Sequence, residues 1–443
     1  MSEKITVIGG GLAGCEAAYA AASRGVSVVL YEMKPEKRSP AHKTDRLAEL
    51  VCSNSLKARR IDSAAGLLKE EMRRLGSVCL PAADEAAVAA GGALAVDRDV
   101  FSAAVTKAIE EHPLITVCHE EITNIPEDGV VIVASGPLTS DALAEDIARL
   151  CGSEGLHFYD AAAPIVTAES VDPECSFCAS RYGNDAAEGA EGDYLNCPLN
   201  KEEYEAFHKA LVEAEVAPVH GFDKADPSVY EGCMPIEVLA KRGSDSIRFG
   251  PMKPVGLRDP RTGHRPWAVV QLRAENRERT LYNLVGFQTN LKFPEQQRVF
   301  GMIPALKNAE FMRFGVMHRN TFLNSPELLD PTFAFRARPT LFFAGQMTGV
   351  EGYMESAASG LLAGINAVKT LKGEPLVVLP QTTMMGALAA HVATENKDFQ
   401  PMGANFGILP PLEEHIRDKR ERYAALSARA LEALEQAKTE AGA

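Results

Sequence analysis

The sequence predicts an α/β chain in which a parallel-sheet nucleotide-binding domain, discontinuous in sequence, carries an inserted α+β domain. Three observations predict it. Residues 5–33, "ITVIGGGLAGCEAAYAAASRGVSVVLYEM", read as strand, glycine turn, alanine-rich helix, second strand and terminal acid, all in register. Residues 340–368, "TLFFAGQMTGVEGYMESAASGLLAGINAV", give strand, glycine turn and small-residue helix again near the other end. Between them, from about residue 165, segments such as "RYGNDAAEGAEGDYLNCP" are turn-rich and poor in apolar periodicity. The expected division is 1–165 for the first part of the nucleotide domain, 166–310 for the insertion, and 311–443 for the second part with a C-terminal helical tail.

Ile5 to Ile8 is a short apolar run of the kind that forms a buried parallel strand. Gly9, Gly11 and Gly14 then supply G-x-G-x-x-G, with Gly10, Leu12 and Ala13 between them. In a Rossmann-like unit the first glycine allows the tight turn and the second lets backbone amides approach a pyrophosphate. The third lets helix and strand pack closely, and the helix N-terminus favours the negative charge. The helix runs to about Arg24, and Val26 to Tyr31 forms the second strand, closed by Glu32. An acid there accepts hydrogen bonds from an adenosine ribose and would repel a 2'-phosphate, which favours FAD or NAD over NADP at this first site.

Next, "VDRDVFSAAVTKAIEEH" predicts a helix from near Asp97, and "GVVIVASGPLTS" a strand followed by a glycine turn. The helix "TSDALAEDIARLCG" follows. In the insertion, "NKEEYEAFHKALVEAE" is an amphipathic helix capped by Asn200. "PWAVVQLRAE" and "LYNLVGFQTNL" read as strands of a mixed or antiparallel sheet. Leu341 to Ala344 is a strand running into Gly345-Gln346, Gly349 and Gly352, with a helix from near Glu355. This segment resembles the late flavin-binding stretch of glutathione-reductase-type flavoproteins, with Gln346 in place of the usual acid. The resemblance implies FAD rather than a nicotinamide alone, held here by Gly345, Gln346, Gly352, Tyr353 and Met354. The tail "PPLEEHIRDKRERYAALSARALEALEQAK" predicts a charged amphipathic helix packed on the surface.

With 46% hydrophobic and 24% charged residues in 443, the chain has material for a sizeable core. No apolar run approaches the roughly 20 residues of a membrane span, and "MSEKITVIGGG" enters a strand pattern directly, so a cytoplasmic protein is expected. Nine cysteines, odd in number and without framework spacing, suit a reducing compartment. Cys175 and Cys178 form one C-x-x-C pair, but no second pair accompanies it and His208 stands alone, so no metal is expected. A net charge of −14 disfavours nonspecific nucleic-acid binding without excluding a local basic patch.

Two cysteines stand out. Cys52, in "ELVCSNSLKARR", lies among Ser53, Asn54 and Ser55 and ahead of Lys57, Arg59 and Arg60. Cys233, in "YEGCMPIEVLAKRG", precedes a short helix ending in Lys241-Arg242, and a helix N-terminus tends to lower a thiol pKa. From spacing alone a small buried hydrophobe is the better reading for each, and neither is identifiable as catalytic.

A resemblance separates these readings. "AHKTDRLAELVCSNSLK", "GGALAVDRDVFS", "YLNCPLNKEEY", "FGPMKPVGLRDPRTG", "LVGFQTNLKFPEQ", "GVMHRNTFLNSP", "AGQMTGVEGYMESAASGLLAG" and "FQPMGANFGILPPL" together resemble the TrmFO family of folate- and FAD-dependent tRNA (uracil-5-)-methyltransferases, to about residue 412. The alternative is an MnmG (GidA)-like wobble-uridine modification flavoprotein, which shares the FAD segments but lacks "VCSNSL". The resemblance implies C5-methylation of the T-loop uridine, position 54 of tRNA. Methylenetetrahydrofolate would be the carbon donor and FADH2, re-reduced by NADH or NADPH, the reductant. It implies Cys233 as the nucleophile at uracil C6. Cys52 would be a second active thiol that assists proton removal or stabilises the methylene-bearing flavin. It also implies His318 against the folate pterin, and Lys253, Arg273 and Arg319 at folate or phosphate. Arg59, Arg60, Lys241 and Arg242 are expected to form the tRNA-binding patch. A monomer acting without an obligatory protein partner, away from any membrane, is expected.

Overall fold

The computed structural model describes residues 4–39, 41–152, 156–161, 163–181, 192–217, 234–276, 278–315, 317–396 and 399–441, with 156–161 and 317–321 described as backbone only. One sheet runs, in spatial order, through Ala334–Phe335, Arg338–Phe343, Val130–Val133, Lys4–Ile8, Ser27–Glu32 and Ile115–His119. All its pairs are parallel except the first, a hairpin. Strand ends are in register, with Ile8 opposite both Tyr31 and Val133, and Val133 opposite Phe343. The turns after Ile8, Glu32, Val133 and Phe343 therefore open along one edge, where an open parallel sheet binds its ligand.

Two helices cover one face of this sheet, Leu12–Ala22 and Tyr353–Lys372. They meet on small residues: a Cβ on Gly360 would stand 2.0 Å from the Ala13 carbonyl oxygen, and one on Gly364 would stand 2.5 Å from that of Ala17. Backbones this close exclude any larger side chain at either glycine. The second helix starts at Tyr353, slightly earlier than its sequence suggests, because Gly352 at φ +128 ends the preceding turn. Asp97 caps the helix Arg98–Glu110 by accepting from the Asp99 and Val100 amides.

The second sheet is antiparallel throughout, in the order Phe177–Cys178, Tyr194–Leu199, Ala268–Ala274, Leu281–Leu284, Ile165–Thr167 and Phe311–Arg313. Its central strand "AVVQLRA" is buried at every position, with the helices Lys201–Glu213 and Phe293–Phe300 contributing Phe207 and Phe300 to the core. Asn200 makes a full capping box with Glu203. The stretch "LYNLVGFQTNL" is a strand only over Leu281–Leu284. Gly286, at φ +78 and packed on Pro251, turns the chain out of the ladder.

The tail is helical only from Lys419 to Ala441; it buries Leu426, Ala430 and Leu434, and Ser427 Oγ donates to the Ile61 carbonyl. Among the described residues no helix is long and apolar enough to cross a membrane.

Glu71, on the helix Ala64–Arg74, is fully buried and accepts from the Met384 and Met385 amides at 2.7 and 2.8 Å, capping the helix Met384–Ala393. Burial pushes its carboxyl up to about 8, against those two hydrogen bonds. A carboxyl raised on folding stabilises the fold most below its unfolded value, and that stability is lost as pH rises towards 8. Thermal unfolding of Glu71→Gln is expected to show a smaller fall in stability than the unsubstituted chain between pH 5 and 8.

Candidate active site

The ligand edge of the parallel sheet opens into a cleft. Gly9, Gly10, Gly11, Leu12, Ala13, Glu32, Gly345, Gln346 and Tyr353 all line it. The glycines have separate duties. Gly9 is at φ +105, and a Cβ there would meet the Ala134 carbonyl at 2.6 Å; one on Gly14 would stand 1.8 Å from the Gly9 carbonyl oxygen. Both are fixed by packing. A Cβ on Gly11 would meet nothing within 4 Å, so the chain is bare where a pyrophosphate has to approach the helix. Glu32 is buried, with its carboxylate accepting from the Gly10 amide at 2.9 Å and the Lys34 amide at 3.0 Å.

These residues fit FAD: a bare glycine at a helix N-terminus for the diphosphate, a fixed acid for the ribose, and a second helix N-terminus at Tyr353. Glu32→Ala would remove the acid that fits the ribose and leave the Gly10 and Lys34 amides unpaired. FAD affinity is expected to fall roughly ten- to a hundredfold, read from the fluorescence of released flavin.

Two residues expected at the flavin, Gly352 and Met354, do not line the cleft, and neither does Gly14, the packing glycine of the motif. Gly14 packs under the turn, Met354 is buried in the core, and Gly352 is required by Glu355, whose Oε2 would stand 2.1 Å from a Cβ there. The cleft also contains a wall that sequence reasoning left unassigned, Ser135 to Ser140. It is the glycine turn after Val130–Val133, tied by the Ser135 and Thr139 hydroxyls at 2.7 Å. The apolar run of that strand, ending in a glycine turn like the one after Ile8, was the available signal.

Cys52 sits on a loop beside the cleft, which Val51 lines. Its amide and that of Ser53 donate to Tyr353 Oη at 2.7 and 3.1 Å. Its carbonyl accepts from Arg98 Nη2 at 2.9 Å and Arg313 Nη2 at 2.8 Å. Arg98 also donates to the Leu50 carbonyl and pairs with buried Glu275 at 2.6 Å. Arg273, which is buried, donates to Asn54 Oδ1 and Ser53 Oγ, both at 2.8 Å. Burial is the first cause lowering the basicity of Arg273 and Arg313. The cations around Cys52 thus arrive from distant parts of the chain. Of those next to it in sequence, Lys57 reaches Glu355 Oε1 at 2.6 Å, and Arg59 and Arg60 are exposed, with Arg60 paired to Asp62.

A family model described as "Glucose inhibited division protein A" matches residues 4–375. The protein of Enterococcus faecalis described as methylenetetrahydrofolate--tRNA-(uracil-5-)-methyltransferase TrmFO is 58% identical over 433 residues, 98% of each chain. The chain belongs to the TrmFO family. A TrmFO protein of Geobacter sulfurreducens is likewise 58% identical, over 98% of this chain and 99% of its own. The solved structure of Aquifex aeolicus GidA matches 98% of this chain and 73% of its own with a TM-score of 0.71 at 17% identity, so the two share a fold.

Cys233 lies outside the described residues, and His318 and Arg319 are described as backbone only, in the strand Met317–Phe322. Lys253 is exposed on the turn that follows Pro251. Lys241 and Arg242 are exposed at the end of the six-residue helix Ile236–Lys241. Among the described residues no three His, Cys, Asp or Glu side chains gather to hold a metal.

Proposed function

We propose that this chain methylates C5 of uridine in tRNA, taking its carbon from methylenetetrahydrofolate, with FAD as the bound cofactor. Identity of 56–59% to proteins of that printed activity, over nearly the whole chain, supports the reading. The observation that carries it is the fixed loop at Cys52, which puts a cysteine beside the flavin cleft with guanidiniums on its carbonyl. FAD supplies the reducing equivalents when bound, and we take NADH or NADPH as their source.

Uracil C5 becomes nucleophilic once a thiolate adds at C6, and a thiolate also leaves easily. We assign that addition to Cys233 and the second thiol role to Cys52, in cationic surroundings of the kind a reactive thiolate needs. Tyr353 and the two arginines orient the Cys52 loop through its backbone. Arg273, with two of its donors committed to Ser53 and Asn54, acts by holding that loop rather than a folate carboxylate. His318 and Lys253 are assigned to folate. Arg59, Arg60, Lys241 and Arg242 are assigned to the tRNA backbone, and T-loop position 54 is taken as the target. The protein is read as a cytoplasmic monomer that needs no partner protein.

Purified protein with methylenetetrahydrofolate, NADH and an unmodified tRNA transcript is expected to yield 5-methyluridine by nucleoside mass spectrometry. No product in the absence of a partner protein would sink this reading in favour of the MnmG-like one.

A further inference from the structure

A second cavity lies on the other side of the Cys52 loop. Cys52, Ser53, Arg273, Asn283, Gly286 and Gln288 line it. Val51 faces the flavin cleft and Cys52 faces this cavity, so a single loop forms the wall between them. Arg273 and Asn283 are directly opposed in the antiparallel pair of Ala268–Ala274 with Leu281–Leu284, which places both side chains on one face. Gln288 is anchored by its carbonyl, which accepts from the Ile236 amide at 2.7 Å.

Asn283 is 3% exposed, and its Nδ2 has no hydrogen-bond partner among the described residues. A buried amide without a partner is costly, and a fold retains it where a ligand completes the bond. The lining identifies the ligand. Arginine only donates, Asn283 has a spare donor, and none of the described lining residues is a carboxylate. A pterin's aminopyrimidine edge is rich in donors and wants an acid. Uracil presents two carbonyl acceptors flanking one N–H and wants donors.

We propose that this cavity receives the target uracil, with Asn283 donating from Nδ2 to O4 and Arg273 providing positive charge beside it. The inference rests on the methylation reading above and names where its substrate binds. When the thiolate sulfur bonds to C6, the C5–C6 double bond is lost and its electrons move through C4 onto O4, giving an enolate with no change of oxidation state. A donor and a cation fixed at O4 stabilise that charge as it forms. The tRNA base has to leave its stack to reach them.

The test measures single-turnover methylation of two transcripts, one with uridine and one with 4-thiouridine at the target position, by the FAD-loaded full chain and its Asn283→Ala variant. FAD content and the KM for methylenetetrahydrofolate are followed in parallel. Sulfur is a weak acceptor, so the unsubstituted chain is expected to lose roughly ten- to a hundredfold on 4-thiouridine. Asn283→Ala should lose a similar factor on uridine, become nearly indifferent to the sulfur exchange, and keep its folate KM. Equal rates of the unsubstituted chain on both transcripts would overturn the proposal, and this arm needs no variant to fold. A raised folate KM in Asn283→Ala with the sulfur discrimination intact would give the cavity to folate instead. No methyl product from the unsubstituted chain on either transcript is a different result, one that removes the methylation reading and this inference with it.

Discussion

Cys52→Ala is expected to keep FAD and lose 5-methyluridine formation by a factor of at least about a thousand, the scale of an essential reacting group. The substitution is informative because of how the loop is held. The bonds described at Cys52 run through backbone atoms, namely the amides of Cys52 and Ser53 on Tyr353 and the carbonyl of Cys52 on Arg98 and Arg313, while Arg273 holds the side chains of Ser53 and Asn54. Alanine retains every one of them, so the variant removes the sulfur and leaves the frame. Nucleoside mass spectrometry for product and the flavin absorbance spectrum check the two halves of the expectation. A variant with wild-type product would return Cys52 to a packing role.

Arg98→Ala should produce the largest loss of stability, about 3–5 kcal/mol, because it strands a buried charge. Glu275 has a side chain only 4% exposed, and among the described residues its Oε1 has no hydrogen-bond partner, so the carboxylate loses its direct ion pair when the 2.6 Å contact goes. The same substitution frees the Leu50 and Cys52 carbonyls, so turnover is expected to fall with stability. Glu275→Ala should cost a similar amount, and the double variant less than the sum, since the second change removes the charge that the first strands. Arg98→Lys is not expected to rescue, because one ammonium cannot reproduce a planar fork serving three acceptors. Urea denaturation of the four proteins measures the cycle; additive losses would mean that the pair is not coupled.

The nucleotide half of the site was legible because its requirements are local. Gly9, Gly11, Gly14 and Glu32 fall within one strand–helix–strand unit, where spacing alone dictates what each can do. The same local reading does not tell a glycine that accommodates Glu355, as Gly352 does, from one that faces a ligand, since the two look alike in a string. Cations were the harder case. Lys57, Arg59 and Arg60 are the near neighbours of Cys52 in sequence, yet the charges on its loop come from Arg98 and Arg313, 46 and 261 positions away. Only the folded packing of two sheets brings those side chains together, and no periodicity records it. Asn283 was invisible for another reason: its significance is a missing partner, which a sequence cannot display.

The seam of Gly360 and Gly364 against Ala13 and Ala17 has a consequence for how the protein is made. The helix that closes over the first glycine turn, and the strand Arg338–Phe343 that covers the edge of Val130–Val133, are among the later parts of the chain to leave the ribosome. Until then the nascent N-terminal unit holds an open sheet edge and a bare alanine face, while the antiparallel sheet, complete by Arg313, can already form. Cofactor capture is therefore a late event in synthesis, and a chain that stops short of residue 338 is left with a sticky, half-built sheet rather than a weak flavoprotein.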